Sequence, residues 1–524
     1  MSATTLQPLS LITSLMKPEL YDHAVKKCVL FETHISWVIV AEPYAYKIKK
    51  SVNLGFLDFS TLEKRHFYCN EELRLNKRLA SSIYLSVVPI TGTYEHPQWA
   101  GEGEVIEYAV RMLAFPQQAQ LDRVLGRGAL QQEQIDILAR HIADFHHQTD
   151  VADIDSIYGD PKCVFQPVEE NFKQIYAHVS NEKVLGTLAE LKQWSLATFQ
   201  QLHSIFVQRK ADGCIRECHG DMHLRNIAWV EEGPIVFDCI EFSPSLRWID
   251  VMSDVAFLVM DLQDRKYPEL AQRFLNNYLQ HTGDYAGLRV LRFYQVYRAL
   301  VRAKIDAIRA QQVGISKEEQ DEAEQDFFDY LKLALDYIQP VKQQLIITRG
   351  LSASGKSTVT QLLLEQAGAI RVRSDVERKL LFGLQPENGG HSAVESGIYT
   401  RDATRRTYGK LLERAAQIID AGYSVIVDAV FLHHEERDQF RKLADTKQAA
   451  YIILECTADA ETLRQRIVRR KNDVSDADLK VLEMQRVRWQ PLLPDECINT
   501  VTVDTGKPYD INFLAAEINE KSCV

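Results

Sequence analysis

The chain has 524 residues, too long for one ordinary hydrophobic core, so its length predicts two or three domains. Its composition, 46% hydrophobic and 25% charged, is typical of a globular protein and disfavours disorder over most of the length. The net charge of −11 argues against tight nonspecific binding to nucleic acid, although a local basic groove is compatible with it.

The cysteines and the amino-terminal segment indicate the compartment. Nine cysteines, an odd number, are scattered without a disulfide framework, which favours a reducing environment. The segment MSATTLQPLSLITSLMKPEL has no basic flank followed by a long apolar run, so no signal peptide is predicted. No window approaches about eighteen uninterrupted apolar residues, the length of a membrane span. We therefore expect a cytoplasmic protein.

The first 340 residues predict a small strand-rich lobe, about 25–113, followed by a larger helical lobe, about 114–340. Alternating apolar and polar residues predict strands, and a Ser-Thr cap before a periodic apolar pattern predicts a helix. The predicted elements of the small lobe are a hairpin over Ile35–Lys50, a helix over about Ser60–Ala80, and strands over Leu85–Thr93 and Glu104–Leu113.

Beyond Pro340 the pattern changes to strands that alternate with helices, which predicts a parallel sheet with helices on both faces. The predicted strands are LIITRG, AIRVR, YSVIVDA, AAYIILEC and NTVTVD. We place the domain boundary near Gln339 to Gln344, which divides the chain into domains 1–340 and 341–524.

The stretch GLSASGKST, Gly350 to Thr358, fits G-x-x-x-x-G-K-[ST] between a predicted strand and a predicted helix. Glycines let backbone N–H groups close around phosphate oxygens at a helix N-terminus. Lys356 would reach the β- and γ-phosphates, and Ser357 would hold Mg²⁺. The alternative is a chance glycine turn before a helix. The expected nucleotide-binding residues are Gly350, Ser354, Gly355, Lys356, Ser357 and Thr358.

Two carboxylates follow strands of the same predicted sheet. Asp428 ends SVIVDA, where it would help to bind Mg²⁺, and Asp375 follows AIRVR, where it would accept a proton from an acceptor hydroxyl. Arg373 and Arg378 would bind a phosphate or another anion of the substrate. Both aspartates are also compatible with a helix cap.

A short helical segment, LRQRIVRRKND, carries several arginines. It would be either a solvated basic face or a lid that closes over the nucleotide. As a lid it would place Arg466, Arg469 and Arg470 on the phosphates. From about Gln344 to Asp504 the chain resembles the small P-loop kinases that include polynucleotide 5′-kinases, zeta-type toxins and gluconate-type kinases. The resemblance implies that Asp375 is the general base.

The stretch HGDMHLRN separates Asp221 from Asn226 by four residues, and the run IVFDCIEF then delivers Asp238. A kinase catalytic loop has this arrangement. Residues 25–335 resemble the aminoglycoside phosphotransferase family, which shares HGD-x-H-x-x-N and a D-x-[DE] segment. The resemblance implies a bilobal kinase-like α+β fold, Asp221 as the base, Asn226 and Asp238 as Mg²⁺ ligands, and Glu241 or His223 in support.

The strand AYKIKK offers two lysines, Lys47 and Lys49, that point to the same face. Lys47 is preferred as the phosphate-binding lysine, because Ala45 two residues earlier suits the adenine contact. Its expected helix partner is Glu72, with Glu71 and Glu63 as alternatives. The turn AEPY replaces a glycine-rich loop, so weak nucleotide binding, or a domain kept for recognition, stays open.

An alternative interpretation of the HGDMHLRN loop is a zinc site, with Cys214, Cys218, His219 and His223 as ligands. Four ligands within ten residues are hard to arrange tetrahedrally, and the reading leaves Asp221, Asn226 and Asp238 without a role. We disfavour it.

The sequence thus predicts a two-domain protein, an α+β kinase-like fold followed by an α/β P-loop fold. Our leading hypothesis is a tandem phosphotransferase that uses ATP or GTP with Mg²⁺ to phosphorylate a hydroxyl of a small molecule. The alternatives are a polynucleotide 5′-hydroxyl kinase, and a nucleotide-sensing regulatory or toxin-like protein with one non-catalytic module. The sequence does not determine the acceptor or the oligomeric state, and an aminoglycoside acceptor does not follow from the fold.

Overall fold

The computed structural model describes residues 10–55, 57–312, 314–383, 400–469 and 479–522. The chain forms two compact units that interleave along the sequence. The first unit comprises Met1–Ile137, Asp144–Glu170 and Phe206–Asp261, and the second comprises Leu138–Ala143, Asn171–Ile205 and Leu262–Val524. Within the described ranges, no helix is both long enough and apolar enough to span a bilayer.

The first unit begins with an antiparallel sheet and one long helix. Its elements are α1 (10–15), β1 (Val29–Glu32), β2 (Ser36–Ala41), β3 (Tyr44–Lys49), α2 (Leu62–Asn76), β4 (Tyr84–Gly92), β5 (Pro97–Trp99) and β6 (Val105–Leu113). The strand order is β1-β2-β3-β6-β4-β5. The predicted hairpin, helix and strand pair are all present, whereas β1 and β5 were not predicted.

Helix α2 packs against this sheet and buries three polar residues, Arg65, Glu72 and Asn76. Thr61 caps its start by accepting a hydrogen bond from the Lys64 N–H. Cys69, Glu72 and Leu75 are buried at spacings of three residues, which puts them on one helix face. A carboxylate at such a position needs a cationic partner, and β3 supplies it (described below).

The chain then becomes mainly helical, as predicted. Two strand pairs, β7 with β10 and β8 with β9, flank the HGDMHLRN loop. The elements are α3 (Leu121–Gly126), α4 (Gln132–Gln148), α5 (Pro161–His178), α6 (Glu182–Ala211), β7 (Ile215–Glu217), β8 (Ile227–Val230), β9 (Gly233–Val236), α7 (Pro244–Arg247), β10 (Trp248–Asp250) and α8 (Val251–Asp264).

Besides parts of α4, α5 and α6, the second unit contains the carboxy-terminal α/β elements and the helices immediately before them. They are α9 (Pro268–Thr282), α10 (Leu288–Ala310), α11 (Lys317–Ile338), β11 (Gln344–Arg349), α12 (Lys356–Ala367), β12 (Ile370–Arg373), α13 (Ser374–Leu381), α14 (Arg401–Asp420), β13 (Val425–Asp428), α15 (His434–Lys447), β14 (Ala450–Thr457), α16 (Ala460–Arg469), α17 (Leu479–Arg488), α18 (Pro494–Ile498), β15 (Thr500–Asp504) and α19 (Ile511–Lys521).

The sheet of this unit is parallel, in the order β12-β13-β11-β14-β15. In register, Ile346 of β11 lies between Ile426 of β13 and Ile452 of β14, and all three side chains are buried. Helices α12 and α19 pack on this apolar layer, while α14 and α15 pack on other parts of the sheet. The prediction of an α/β fold with a parallel sheet flanked by helices is confirmed.

Helices α9, α10 and α11 belong to the second unit by their contacts. The sequence division at residue 340 assigns them to the first domain, and that division stays a prediction. Their membership of the second unit matters for the P-loop site, because side chains of α9 bind the strand that precedes Asp375.

Candidate active sites

The HGDMHLRN loop is held by two buried aspartates of α8. Asp254 accepts hydrogen bonds from the N–H groups of His219, at 2.7 Å, and Gly220, at 2.9 Å. Asp261 accepts a hydrogen bond from the Leu224 N–H at 2.8 Å. Carboxylates that accept backbone N–H groups fix the loop on both sides of Asp221. Sequence reasoning missed both aspartates, which lie inside a mostly apolar helix.

His219 supports the same loop as a neutral imidazole. Its Nε2 lies 3.0 Å from the Phe237 carbonyl oxygen, and its Nδ1 lies 3.3 Å from the Asp221 N–H. These partners require Nε2 to carry the proton and Nδ1 to accept. Burial lowers the pKa of His219, which favours this neutral form.

Asp221 and Asn226, the predicted base and metal ligand, are in direct contact. The Asn226 Nδ2 donates to the backbone oxygen and to Oδ2 of Asp221, both at 3.0 Å. The amide orientation leaves the carbonyl oxygen of Asn226 as the atom able to bind a cation. His223 Nε2 lies 3.3 Å from Asp221 Oδ2, whose side chain is 36% exposed and thus open to an acceptor.

Asp238 lies beside these residues because the backbone brings it there. The Phe237 N–H donates to the Asn226 backbone oxygen at 2.9 Å, which continues the β8–β9 ladder to Asp238. Asp238 has a φ of 64°, a left-handed conformation that is uncommon for a residue other than glycine. Its N–H donates to the Tyr84 hydroxyl at 3.3 Å, and its carboxylate contacts the Lys47 ammonium.

Lys47 joins Asp238 to the predicted helix partner Glu72. Its Nζ lies 2.8 Å from Glu72 Oε1 and also contacts Asp238. Burial alone would lower the pKa of Lys47, but the charges of Asp238 and Glu72 outweigh it and raise the pKa well above its usual value. The structure thus brings together Lys47, Glu72 and Asp238.

Lys49 makes a second pair with Glu72, which the sequence did not predict. Its Nζ lies 2.6 Å from Glu72 Oε2 and contacts Glu241. Burial raises the pKa of Glu72, but the charges of Lys47 and Lys49 reverse this and hold the pKa below its usual range. Glu241 therefore holds Lys49.

The alternative zinc site does not form from its four proposed ligands. The Cys218 thiol donates to the Ile249 carbonyl oxygen at 3.4 Å, and burial raises its pKa well above the usual value. Both ring nitrogens of His219 have backbone partners. Over the described ranges, the one close group of potential metal ligands is His146, Cys218 and Asp254, and Asp254 already accepts two backbone N–H groups.

In the second unit the GLSASGKST segment has the conformation that a phosphate-binding loop needs. Gly355 has a φ of +83° immediately before α12, and a Cβ there would lie 3.0 Å from Thr505. The Lys356 ammonium donates to the carbonyl oxygens of Gly350 and Leu351, both at 2.9 Å, so it lies across the loop. Ser354 is buried, and its backbone oxygen accepts from the Thr505 hydroxyl at 2.9 Å.

Ser357 and Asp428, which the sequence predicts as Mg²⁺ ligands, are hydrogen-bonded to each other. The Ser357 hydroxyl donates to Asp428 Oδ2 at 2.8 Å, and the Thr360 hydroxyl approaches the same oxygen at 3.4 Å. Arg373 Nε lies 3.9 Å from it. A hydroxyl and a carboxylate side by side at the start of the P-loop helix are the donor set that Mg²⁺ prefers.

Most of the site residues that the sequence predicts for this unit line one cavity of about 260 Å³. Asp375 and Arg378 of α13 line it together with the P-loop side chains, and Tyr408, His433, Glu436, Gln485 and Arg488 also line it. The predicted residues on its wall are Gly355, Lys356, Ser357, Thr358, Arg373, Asp375, Arg378 and Asp428. The sequence did not single out Glu436, because it reads as a capping-box residue of α15.

The predicted arginine lid is described only in part. Arg466 donates to the Thr505 hydroxyl at 2.9 Å and the Thr505 carbonyl oxygen at 2.7 Å, and it approaches the Ala353 oxygen at 3.3 Å. It therefore braces the P-loop. Arg469 ends α16, and Arg470 lies outside the described residues. The lid stays a prediction.

Comparisons with known proteins match the same two parts of the chain. The model of the phosphotransferase enzyme family matches residues 102–294, and the model of an AAA domain matches residues 345–492. Uncharacterized proteins of Mycobacterium tuberculosis (strain ATCC 25618 / H37Rv) and Mycobacterium bovis are each 29% identical over 451 residues, covering 86% of this chain and 88% of theirs.

Two solved kinase structures are each similar to a portion of the chain. An amicoumacin kinase in complex with AMP-PNP and Ca²⁺ is 13% identical and covers 63% of this chain and 95% of its own, with a TM-score of 0.40. A gluconokinase from Sinorhizobium meliloti 1021 is 22% identical and covers 35% of this chain and 92% of its own, with a TM-score of 0.24.

Proposed function

We propose that both domains of this chain transfer the γ-phosphoryl group of ATP or GTP to a hydroxyl. The first is an aminoglycoside phosphotransferase-like kinase domain, and the second is a P-loop kinase-like domain. The acceptor would be a small molecule, and both reactions would use Mg²⁺. The proposal rests on one repeated observation. Each unit gathers a lysine, oxygen donors suited to Mg²⁺, and a separate carboxylate beside them.

In the first unit, Glu72 holds Lys47 in place to bind the nucleotide phosphates. The Asn226 carbonyl oxygen and the Asp238 carboxylate would hold Mg²⁺, which when bound supplies positive charge against the phosphates. Asp221, held by Asn226 and contacted by His223, would orient the acceptor hydroxyl and take its proton. The buried Lys49 and Glu241 keep Glu72 in position.

In the second unit, the P-loop backbone and Lys356 would bind the β- and γ-phosphates, and Ser357 with Asp428 would hold Mg²⁺. Asp375 lines the same cavity and would take the proton of the acceptor hydroxyl. Arg373 and Arg378 would bind an anionic group of the substrate or the transferring phosphoryl group. Arg466 and Arg469 are proposed to act on the nucleotide side, with Arg466 through its contacts to the P-loop.

The cavity suits a small acceptor. Its volume of about 260 Å³ has room for a compact molecule beside the γ-phosphate. The net charge of −11 points the same way, because a polymer of phosphates favours a basic surface. Cytoplasmic localisation remains part of this proposal.

The test is phosphoryl transfer from γ-labelled ATP and GTP, with Mg²⁺, to a panel of hydroxyl metabolites and a 5′-hydroxyl oligonucleotide. We expect labelled small molecules and an unlabelled oligonucleotide. Asp221→Ala should abolish transfer by the first unit, and Lys356→Ala transfer by the second. Asp155→Ala is the matched control, because Asp155 is an exposed aspartate of the first unit outside the site.

Each result has a defined meaning. No transfer to any acceptor by the folded chain contradicts the proposal, and a labelled oligonucleotide replaces it with end-kinase activity. If one substitution abolishes transfer at both sites without unfolding the chain, the two modules act as sensor and effector.

A further inference from the structure

The strand that precedes Asp375 lies at the edge of the parallel sheet. β12 pairs with β13 on one side, and side chains of α9 meet its other side. Asn276 Oδ1 accepts the Arg371 N–H at 2.7 Å, and Asn276 Nδ2 donates to the Ala369 carbonyl oxygen at 3.2 Å. Gln272 Nε2 donates to the same oxygen at 2.7 Å. Two side-chain amides thus give β12 the bonds that a further strand would supply.

The same strand reaches the proposed metal ligands through Arg371. Its guanidinium donates to the Ser357 carbonyl oxygen at 3.0 Å and to the Thr360 hydroxyl at 3.1 Å. Thr360 in turn lies 3.4 Å from Asp428 Oδ2. Asn276 therefore holds the backbone of a residue whose side chain braces the start of α12.

A second contact reaches α13, the helix that carries Asp375. The Arg414 guanidinium stacks over the Tyr285 ring at 5.0 Å, and Arg414 Nε lies 3.6 Å from Glu377 Oε2. Tyr285 and Glu377 are both buried. Burial raises the pKa of Tyr285, and the charge of Glu377 acts in the same direction, which agrees with their closeness.

These contacts come from a part of the chain that matches the other family. Asn276 and Tyr285 lie within residues 102–294, which match the phosphotransferase enzyme family, yet they belong to the compact unit that contains the P-loop. All the atoms involved lie inside that unit. The P-loop site therefore includes a support that the residues after 340 do not supply.

We propose that Asn276 and Tyr285 are positioning residues for Asp375, so that helix α9 and the turn after it determine the catalytic rate of the P-loop site. This inference rests on the proposed phosphotransfer by that site. Asn276 acts through β12, and Tyr285 acts through Arg414 and Glu377 on α13. Neither residue lines the cavity that would contain the nucleotide.

Displacement of a base changes the rate more than the affinity for nucleotide. A shift of about 1 Å costs on the order of 100-fold in rate. The phosphates would be bound by Lys356 and the P-loop backbone, which neither positioning residue contacts. Asn276→Ala and Tyr285→Leu should therefore lower kcat by about 10- to 100-fold and leave KM for Mg²⁺–ATP within about threefold.

The assay uses the full chain with Asp221→Ala, so that Mg²⁺–ATP hydrolysis reports the P-loop site, with water in place of the acceptor. Hydrolysis by the P-loop site is the part of the activity that Lys356→Ala abolishes. Tyr285→Phe keeps the ring over Arg414 and should retain the wild-type kcat. Asn70→Ala is the control for Asn276→Ala, because Asn70 is an exposed helical asparagine that also bonds the carbonyl oxygen four residues earlier.

The outcomes separate this inference from the proposed function. Lys356-dependent hydrolysis with unchanged kcat in Asn276→Ala and Tyr285→Leu overturns the inference alone. A rise in KM that matches the fall in kcat also overturns it, because it shows general damage to the site. Absence of Lys356-dependent hydrolysis overturns the proposed function of this unit, and the inference with it.

A second variant keeps the test decisive if Asn276→Ala does not fold. Gln272→Ala removes one of the bonds to Ala369 and leaves the Arg371 bond intact. It should lower kcat in the same direction by a smaller factor. In the folded parent chain, hydrogen exchange of the Arg371 amide should be slow, and a fast rate would show that the Asn276 bond does not form in solution.

Discussion

Lys49 Nζ lies 2.6 Å from Glu72 Oε2 in the interior of the first unit, and the same ammonium contacts Glu241. Glu72 also holds Lys47, so two lysines and two carboxylates form one buried cluster. Buried charges are tolerated when each has a partner, and loss of one partner leaves a costly unpaired charge. We therefore expect separable roles for the two lysines, with Lys47 binding the nucleotide and Lys49 stabilising the fold.

Lys49→Met should destabilise the first unit, because it leaves Glu241 buried without its cation. We expect a loss of about 3–5 kcal/mol in the free energy of unfolding, measured by urea denaturation. The double variant Lys49→Met/Glu241→Met removes both charges and should recover most of that loss. Lys64→Met is the control, because its ion pair with Asp58 lies at the surface, where such pairs add little to the free energy of unfolding. Equal stability of Lys49→Met and the parent chain would refute the buried cluster.

Ser357→Ala should weaken the use of Mg²⁺ by the P-loop site, because it removes the hydroxyl beside Asp428. We expect half-maximal Lys356-dependent hydrolysis to need about tenfold more Mg²⁺, with kcat lowered by about 10- to 100-fold. A titration with MgCl₂ at fixed ATP measures both. Ser204→Ala, an exposed serine of α6, should change neither. An unaltered Mg²⁺ dependence in Ser357→Ala would show that this hydroxyl is not a ligand.

Gly355→Ala should prevent nucleotide binding at the P-loop. The residue has a φ of +83°, and a Cβ would approach Thr505 to 3.0 Å, so both the backbone and the packing resist a side chain. Fluorescent ATP should bind Lys47→Ala chains but not Lys47→Ala/Gly355→Ala chains. Gly186→Ala has open space around its Cβ on α6 and should bind like the parent. Binding that survives Gly355→Ala would mean that the nucleotide does not occupy this loop.

The loop that carries Asp221 should lose stability as the pH falls below about 6.5. Burial depresses the pKa of His219 in the folded chain from a usual value of 6.5, so the unfolded chain takes up the proton first. The contribution of the neutral imidazole is complete above pH 6.5 and is lost progressively below it, down to the depressed folded pKa. His219→Gln keeps a donor for the Phe237 oxygen and cannot titrate.

Thermal unfolding of the first unit between pH 7 and pH 5 measures this effect. The Tm of the parent should fall more steeply than that of His219→Gln, after correction for the pH dependence that both share. Parallel curves would show that His219 does not titrate in this range.

Much of the fold could be predicted from sequence because the periodic elements determine it. The alternation around AYKIKK and the strands around VIVDA have few alternative readings, and the structure has these elements with bounds shifted by a few residues. The edge strands β1 and β5 were missed because β1 is exposed and β5 has only three residues. Neither carries a burial pattern that distinguishes it from a loop.

The site residues likewise include some that the sequence predicts and some that it does not. Motifs indicated Asp221, Asn226, Asp238, Lys356 and Ser357. In the structure Asp221 contacts Asn226, Asp238 contacts Lys47, and Lys356 and Ser357 line one cavity. The supporting residues Asp254, Asn276 and Tyr285 lie in helices or turns outside the motifs. Their contacts depend on tertiary packing, which the spacing of residues in the sequence does not predict.

The most direct test of the account counts the nucleotides that one chain binds. Calorimetric titration with nonhydrolysable ATP and GTP analogues in Mg²⁺ should give two nucleotides per chain, one in Lys47→Ala and one in Lys356→Ala. A single nucleotide per parent chain, removed by one of these substitutions and unaffected by the other, would contradict the claim of two phosphotransfer sites.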